Sequence, residues 1–193
     1  MKFDGILLDL DGTLWDSSEG VVIGFNRMLS RHPGLREPVT REEIAGIMGV
    51  QAPQAAKKLF PGLPEKEGLA MLTECFQDEI AALSQGGSTL YPGVRETLEK
   101  LSGRCFLGIV SNCQEGYIPC FFAAHSLEPF FSDYEYSGRT RLLKGENIRL
   151  VMERNGLKNP VYVGDTQLDA DAAQMAGIPF VFASYGFGRV IEA

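Results

Sequence analysis

The sequence is sparing with residues that build metal cages, disulfide frameworks and nucleophilic dyads. Its 193 residues include two histidines, four cysteines and one tryptophan. Cys75, Cys105, Cys113 and Cys120 form no Cys-x-x-Cys pair, and neither histidine joins them at a zinc-binding spacing. Free thiols in a reducing cytoplasm are the expectation. With only His32 and His125 available as bases, Cys113 is a weak nucleophile candidate. Positive charge is also short: 18 Lys and Arg stand against 25 Asp and Glu, for a formal net charge of −7. That excludes the broad basic face that grips nucleic acid. An anionic substrate would need a local cation of its own. No apolar run approaches a membrane span, and the short one at the start carries Asp9 and Asp11, unlike a signal peptide. Internal repeats and low-complexity segments are missing too. The expectation is a cytoplasmic protein with no nucleic-acid or membrane partner. Oligomeric state leaves no mark in the sequence.

What is present is an ordinary globular composition, 45% hydrophobic and 22% charged, in a chain long enough for one domain with a smaller insertion. Its most informative stretch is the first: Phe3-Asp4-Gly5-Ile6-Leu7-Leu8-Asp9-Leu10-Asp11-Gly12-Thr13-Leu14. An apolar run climbs to Asp9, a second carboxylate follows two residues later, and a glycine breaks the strand. Alternation along a strand puts Asp9 and Asp11 on one side. Two crowded carboxylates at a buried strand end are costly unless a cation or proton offsets their repulsion. In such a pair one carboxylate can attack while the other holds or moves a proton.

Strand-like runs recur at 5–10, 105–110, 160–163 and 179–183, separated by helical patterns at about 93–102, 114–125, 144–155 and 168–176. This alternation predicts a parallel sheet with helices on both faces, and a ligand site at the carboxyl ends of its strands. Asp9, Ser111 and Asp165 all fall at such ends. The stretch from Ser17 to about Gln85 reads as helices only. Thr40-Arg41-Glu42-Glu43 fits a capping box, and Pro53 and Pro64 suit first turns. Leu69, Leu72, Cys75, Phe76, Ile80 and Leu83 make one apolar stripe, the core of a helical bundle. Gln85-Gly86-Gly87-Ser88 suits a hinge. The expected organisation is an α/β core over 1–16 and 86–193, with a helical insertion over 17–85.

Gly108-Ile109-Val110-Ser111-Asn112, Lys144-Gly145-Glu146-Asn147-Ile148 and Val161-Tyr162-Val163-Gly164-Asp165-Thr166-Gln167-Leu168-Asp169 follow the first motif in that order. Together the four resemble the haloacid dehalogenase-like hydrolases, in their phosphoglycolate phosphatase-like branch. The resemblance runs nearly the length of the chain but is sharp at the four motifs. It implies a Rossmann-like core, a small helical cap and a magnesium-dependent phosphatase of small phosphorylated metabolites. Asp9 matches the nucleophile, which would form an aspartyl-phosphate, and Asp11 the general acid and then base. Asp9, the Asp11 backbone carbonyl and Asp165 would hold magnesium, an ion that prefers oxygen ligands. Thr13, Ser111, Asn112 and Lys144 would bind phosphate. Asp169 would hydrogen-bond behind the metal ligands or pair with Lys144.

Weaker candidates surround these. Arg139 and Arg141 lie near Lys144; Trp15 suits hinge packing or a leaving group. The loop 46–53, with Gln51, and also Lys57, are possible readers of substrate. Tyr185-Gly186-Phe187-Gly188 resembles a family loop beside the site. A phosphomutase could use the same core, but mutase relatives carry an Arg followed by Ser-Leu where this chain reads Gly49-Val50-Gln51-Ala52-Pro53. Dehalogenase relatives lack the acid that Asp11 supplies. A phosphonate hydrolase needs a cap lysine, which Lys57, Lys58 or Lys66 would have to provide. A phosphate-ligand-binding regulatory protein on the same core is the non-enzyme alternative, opposed by retention of every motif residue.

Overall fold

Residues 2–191 are described in the computed structural model of the chain. The strands β1 (Gly5–Leu8), β4 (Phe106–Ser111), β5 (Asp133–Tyr136), β6 (Val161–Gly164) and β7 (Phe180–Phe182) form a parallel sheet in the order β5-β4-β1-β6-β7. The central register pairs Leu7 with Gly108 and with Tyr162. Strand alternation sends side chains to two covers. On one face, Ile6, Leu8, Leu107 and Ile109 pack with α5 (Val94–Ser102) and α6 (Tyr117–His125). On the other, Leu7, Val110 and Tyr162 pack with α8 (Lys144–Asn155) and α9 (Gln167–Ala176). Apolar strands covered on both faces are what a parallel sheet requires.

The sheet order places the switch between β1 and its two neighbours, so the ends of β1, β4 and β6 open side by side. The predicted α/β architecture matches. The edge strand β5 was not predicted. Its Asp133-Tyr134-Glu135-Tyr136 lacks an apolar run because its charges are partnered: Arg154 pairs with Asp133 and Glu135, and Arg139 pairs with Glu135. Charged edges of this kind also discourage strand addition.

Between β1 and β4 the chain makes α1 (Ser18–Arg31), α2 (Arg41–Ala45), α3 (Ala52–Leu59) and α4 (Glu65–Ser84). Thr40 caps α2 in a capping box with Glu43, Pro53 lies in the first turn of α3, and Pro64 is the N-cap of α4. Val21, Phe25, Met28, Ile44, Leu59, Leu72 and Cys75 form their own apolar cluster. The stripe on α4 does not stay in one core. Leu69, Leu72, Cys75 and Phe76 join that cluster, while Ile80 and Leu83 pack with Trp15 and α6. Helices α1 and α4 cross closely at Gly24, where a Cβ would lie 2.5 Å from the Glu79 backbone. Two short strands, β2 (Trp15–Asp16) and β3 (Thr89–Leu90), pair antiparallel where the chain leaves and re-enters the sheet unit.

Candidate active site

Asp9 extends the line of β1, its N–H donating to Val163 O at 2.8 Å. The side chain is 2% exposed. Lys144, first residue of α8 and equally buried, places Nζ 2.8 Å from Asp9 Oδ1 and 2.6 Å from Asp169 Oδ1. Burial alone would lower the ammonium pKa, but Asp169 and Asp9 outweigh it and hold Lys144 firmly charged. Burial pushes the Asp9 carboxyl well up; Lys144 opposes this, and Asp169 and Asp165 add to it.

Asp169 is occupied on both oxygens. Its Oδ2 accepts from the Asp165 and Thr166 amides at 3.1 and 2.9 Å and from Thr166 Oγ1 at 2.7 Å, closing the capping box of α9. Asp165, at the end of β6, is half used. Its Oδ2 accepts from the Phe187 and Gly188 amides at 2.7 and 3.1 Å, while its buried Oδ1 has no hydrogen-bond partner. Burial and then Asp169 push its pKa up to about 6, against those two amides. Gly12 closes this corner: at φ +78° it lies so near that a Cβ would stand 2.1 Å from Asp165 Oδ2. Tyr185 ties the same loop to the turn after β1 by donating from its hydroxyl to Thr13 O at 2.9 Å.

Asp11 is held differently. Trp15 Nε1, Ser17 Oγ and Tyr117 Oη all donate to its Oδ1, at 2.8, 2.5 and 2.9 Å, leaving Oδ2 for the cavity. Burial raises its pKa against these three bonds. Trp15 is fully buried, edge-on to Tyr117 and Phe121, so it is core and brace together. Sequence reasoning missed Ser17 and Tyr117. Tyr117 lies 106 residues from Asp11, and no local pattern joins them.

One oxygen from each of Asp9, Asp165 and Asp169 lies within 4.8 Å of the others. Three carboxylates against one ammonium leave two negative charges in a buried space, which suits a divalent cation. The donors are all oxygen, as magnesium prefers. With both Asp169 oxygens engaged, the bare Asp165 Oδ1 and the Asp9 carboxylate are the donors that fit such an ion.

A cavity of about 500 Å³ opens in front of this cluster. Asp9, Asp11, Ser111 and Asn112 line its base, with Val21, Phe25, Ile47, Met48, Val50, Leu72 and Phe76 on the walls from α1, α4 and the loop before α3. A family model described as haloacid dehalogenase-like hydrolase matches residues 6–183. The chain belongs to the haloacid dehalogenase-like hydrolase family. It is 30% identical over 191 residues to the phosphoglycolate phosphatase of Rhodobacter capsulatus, covering 95% of this chain and 85% of that protein. The Escherichia coli (strain K12) phosphoglycolate phosphatase is 26% identical over 216 residues, with 97% and 84% covered. A haloacid dehalogenase-like family hydrolase from Streptococcus pneumoniae superposes with a TM-score of 0.84 at 23% identity, covering 97% of this chain and 88% of that one, which shows a shared fold.

Within this hydrolase the remaining sequence candidates separate. Thr13 is 1% exposed with Oγ1 unpartnered. Asn112 is committed elsewhere: its Nδ2 donates to Gly49 O at 2.8 Å and its Oδ1 accepts from Ser137 Oγ at 2.7 Å. Its side chain therefore ties the strand end to the loop at 46–53. Gln51 lines the cavity and reaches Leu142 O at 3.4 Å. Arg141 lies at the rim, whereas Arg139 is spent on Glu135. Lys57 does not line the cavity. Cys113 is buried, and burial pushes its thiol pKa up, away from a reactive thiolate.

Proposed function

We propose that the chain is a magnesium-dependent phosphatase of small phosphorylated metabolites that works through an aspartyl-phosphate on Asp9. The observation that carries this is the buried Asp9–Lys144–Asp169 line beside an Asp165 oxygen left without a partner. A phosphate ester repels an anionic nucleophile, so catalysis needs neutralisation, alignment and a proton donor. Lys144 neutralises Asp9 and an arriving phosphate. Asp9, Asp165 and the Asp11 backbone carbonyl would hold magnesium, which would supply Lewis-acid charge neutralisation. Thr13 and Ser111 would donate to phosphate oxygens, together with the backbone N–H of Asn112, whose side chain is engaged.

Asp11, its pKa raised by burial, is the acid that would give a proton to the leaving oxygen. Having given it, Asp11 is the base that activates water against the phosphorylated Asp9. Trp15, Ser17 and Tyr117 fix its rotamer, so the proton is offered from Oδ2. Residues 17–85 act as a cap that shields this chemistry from water. The relatives' names as phosphoglycolate phosphatases support phosphate-ester hydrolysis. The free thiols of Cys75, Cys105, Cys113 and Cys120 suit the cytoplasm.

The test is turnover of p-nitrophenyl phosphate by the purified chain. Activity should vanish in excess chelator and return with magnesium, while calcium, with its looser and larger shell, should replace it poorly. Full activity in chelator would overturn the reading.

A further inference from the structure

Glu79 is a carboxyl in the wrong company. It sits on α4 at the crossing with α1, where the apolar stripe passes from one cluster to the other, and is 5% exposed. Asp11, Gln114 and Tyr117 face it, and no cation does among the described residues. Burial, then the Asp11 charge, pushes its pKa up to about 8. Gln114 and Tyr117 oppose that rise from hydrogen-bonding distance, and Gln114 Nε2, also buried, closes no bond of full geometry. Both residues line the cavity in front of Asp11. They do so on the side a leaving group must occupy, because Asp11 is the residue placed to protonate it.

From this geometry we infer that the natural substrate is a phosphate monoester with an uncharged, largely apolar leaving group bulkier than a two-carbon acid. The inference rests on the phosphatase reading above. Apart from Glu79 and Gln114, the cap side of the cavity is built from Val21, Phe25, Leu69, Leu72, Phe76 and the Ile47–Val50 loop. Among the described residues Arg141 is the one cationic side chain on the lining, and it lies at the exposed rim on the sheet side. A leaving group bearing a carboxylate would bury an anion among these apolar walls with no unpaired deep cation to meet it, an arrangement that burial penalises heavily. A neutral chain instead loses apolar surface to the walls, and a hydroxyl or ether oxygen on it can accept from Gln114. A cavity of about 500 Å³ also far exceeds the needs of two carbons.

The test uses the full chain with magnesium and four substrates: ethyl, butyl and hexyl phosphate, and 2-phosphoglycolate. KM should fall about fourfold per added methylene along the alkyl series until the cavity fills. Hexyl phosphate should exceed 2-phosphoglycolate in kcat/KM by about tenfold or more. Phe76→Arg, a change at a half-buried position that adds a deep cation, should invert that order. A flat alkyl series, or 2-phosphoglycolate turned over equally well or better, would overturn the inference while leaving the phosphatase reading intact. Failure of that reading shows separately, as no turnover of p-nitrophenyl phosphate. Calorimetry with hexylphosphonate and 3-phosphonopropionate then decides the pocket: tighter hexylphosphonate supports the inference, and equal or weaker binding overturns it.

Discussion

Lys144 Nζ lies 2.8 Å from Asp9 Oδ1 with neither side chain more than 3% exposed. A buried pair of this kind contributes little beyond an apolar pair of the same volume, yet breaking it is severe, because the surviving charge has no partner. Here Lys144→Met strands two carboxylates, Asp9 and Asp169. The variant should lose about 3 kcal/mol of stability at neutral pH, read as a lower urea midpoint. Its turnover should fall by about a thousandfold, since no other cationic side chain touches Asp9 among the described residues. Wild-type stability in Lys144→Met would mean that the three groups are not the ionic unit described.

Glu79 predicts a pH dependence of stability. Its pKa is about 8 when folded, against an ordinary value of 4.5. Between these values the native state holds a proton that the unfolded chain has released. Stability therefore falls as pH rises through that window, by up to about 1.4 kcal/mol per pH unit, and levels off above pH 8. Glu79→Gln removes the titration and should flatten that part of the curve. Urea midpoints at half-unit pH steps for both proteins would check it; parallel curves would show that Glu79 is not held protonated.

Much of the fold was legible because its signals are local. Apolar runs, the Thr40–Glu43 capping box and the alternation of strand and helix all act within a dozen residues. The acidic strand ends were legible for the same reason: Asp9 and Asp165 each terminate an apolar run. What escaped is long-range. Strand β5 hides because Asp133 and Glu135 find partners in Arg139 and Arg154, so its charges read as surface. The split of the α4 stripe between two clusters depends on where α6 lies, which periodicity does not encode. Glu79 did leave a trace. It stands four residues after Cys75 and seven after Leu72, on the buried stripe, and a carboxylate at such a position marks a special environment.

Tyr117 donates to Asp11 at 2.9 Å, and this bond lowers the Asp11 pKa against the larger effect of burial. Tyr117→Phe removes the donor and keeps the ring packed on Trp15. The Asp11 pKa should then rise. As general acid Asp11 must be protonated at the start, so the alkaline limb of kcat/KM for an alkyl phosphate should move to higher pH. A limb that stays in place, or moves to lower pH, would detach Asp11 from that step.

The two leading carboxylates should separate by substitution. Asp9→Asn should remove nearly all turnover, because an amide is a poor nucleophile. Asp11→Asn keeps the backbone carbonyl proposed to face the metal and loses only the titratable proton. Its first step should therefore suffer least with aryl phosphates, whose leaving groups need little protonation, and most with alkyl phosphates. Its second step should be slow whatever the substrate, since no base remains to activate water. Phosphate should then accumulate on the protein with an aryl substrate. Acid quench and peptide mapping would locate it in the segment containing Asp9. A label found on Ser111, Cys113 or any other residue would overturn the assignment of the nucleophile. The absence of accumulation, with both substrates slowed equally, would remove Asp11 from the second step. Tyr117→Phe provides the control, because it changes the setting of the Asp11 carboxyl without removing it and should not accumulate the label.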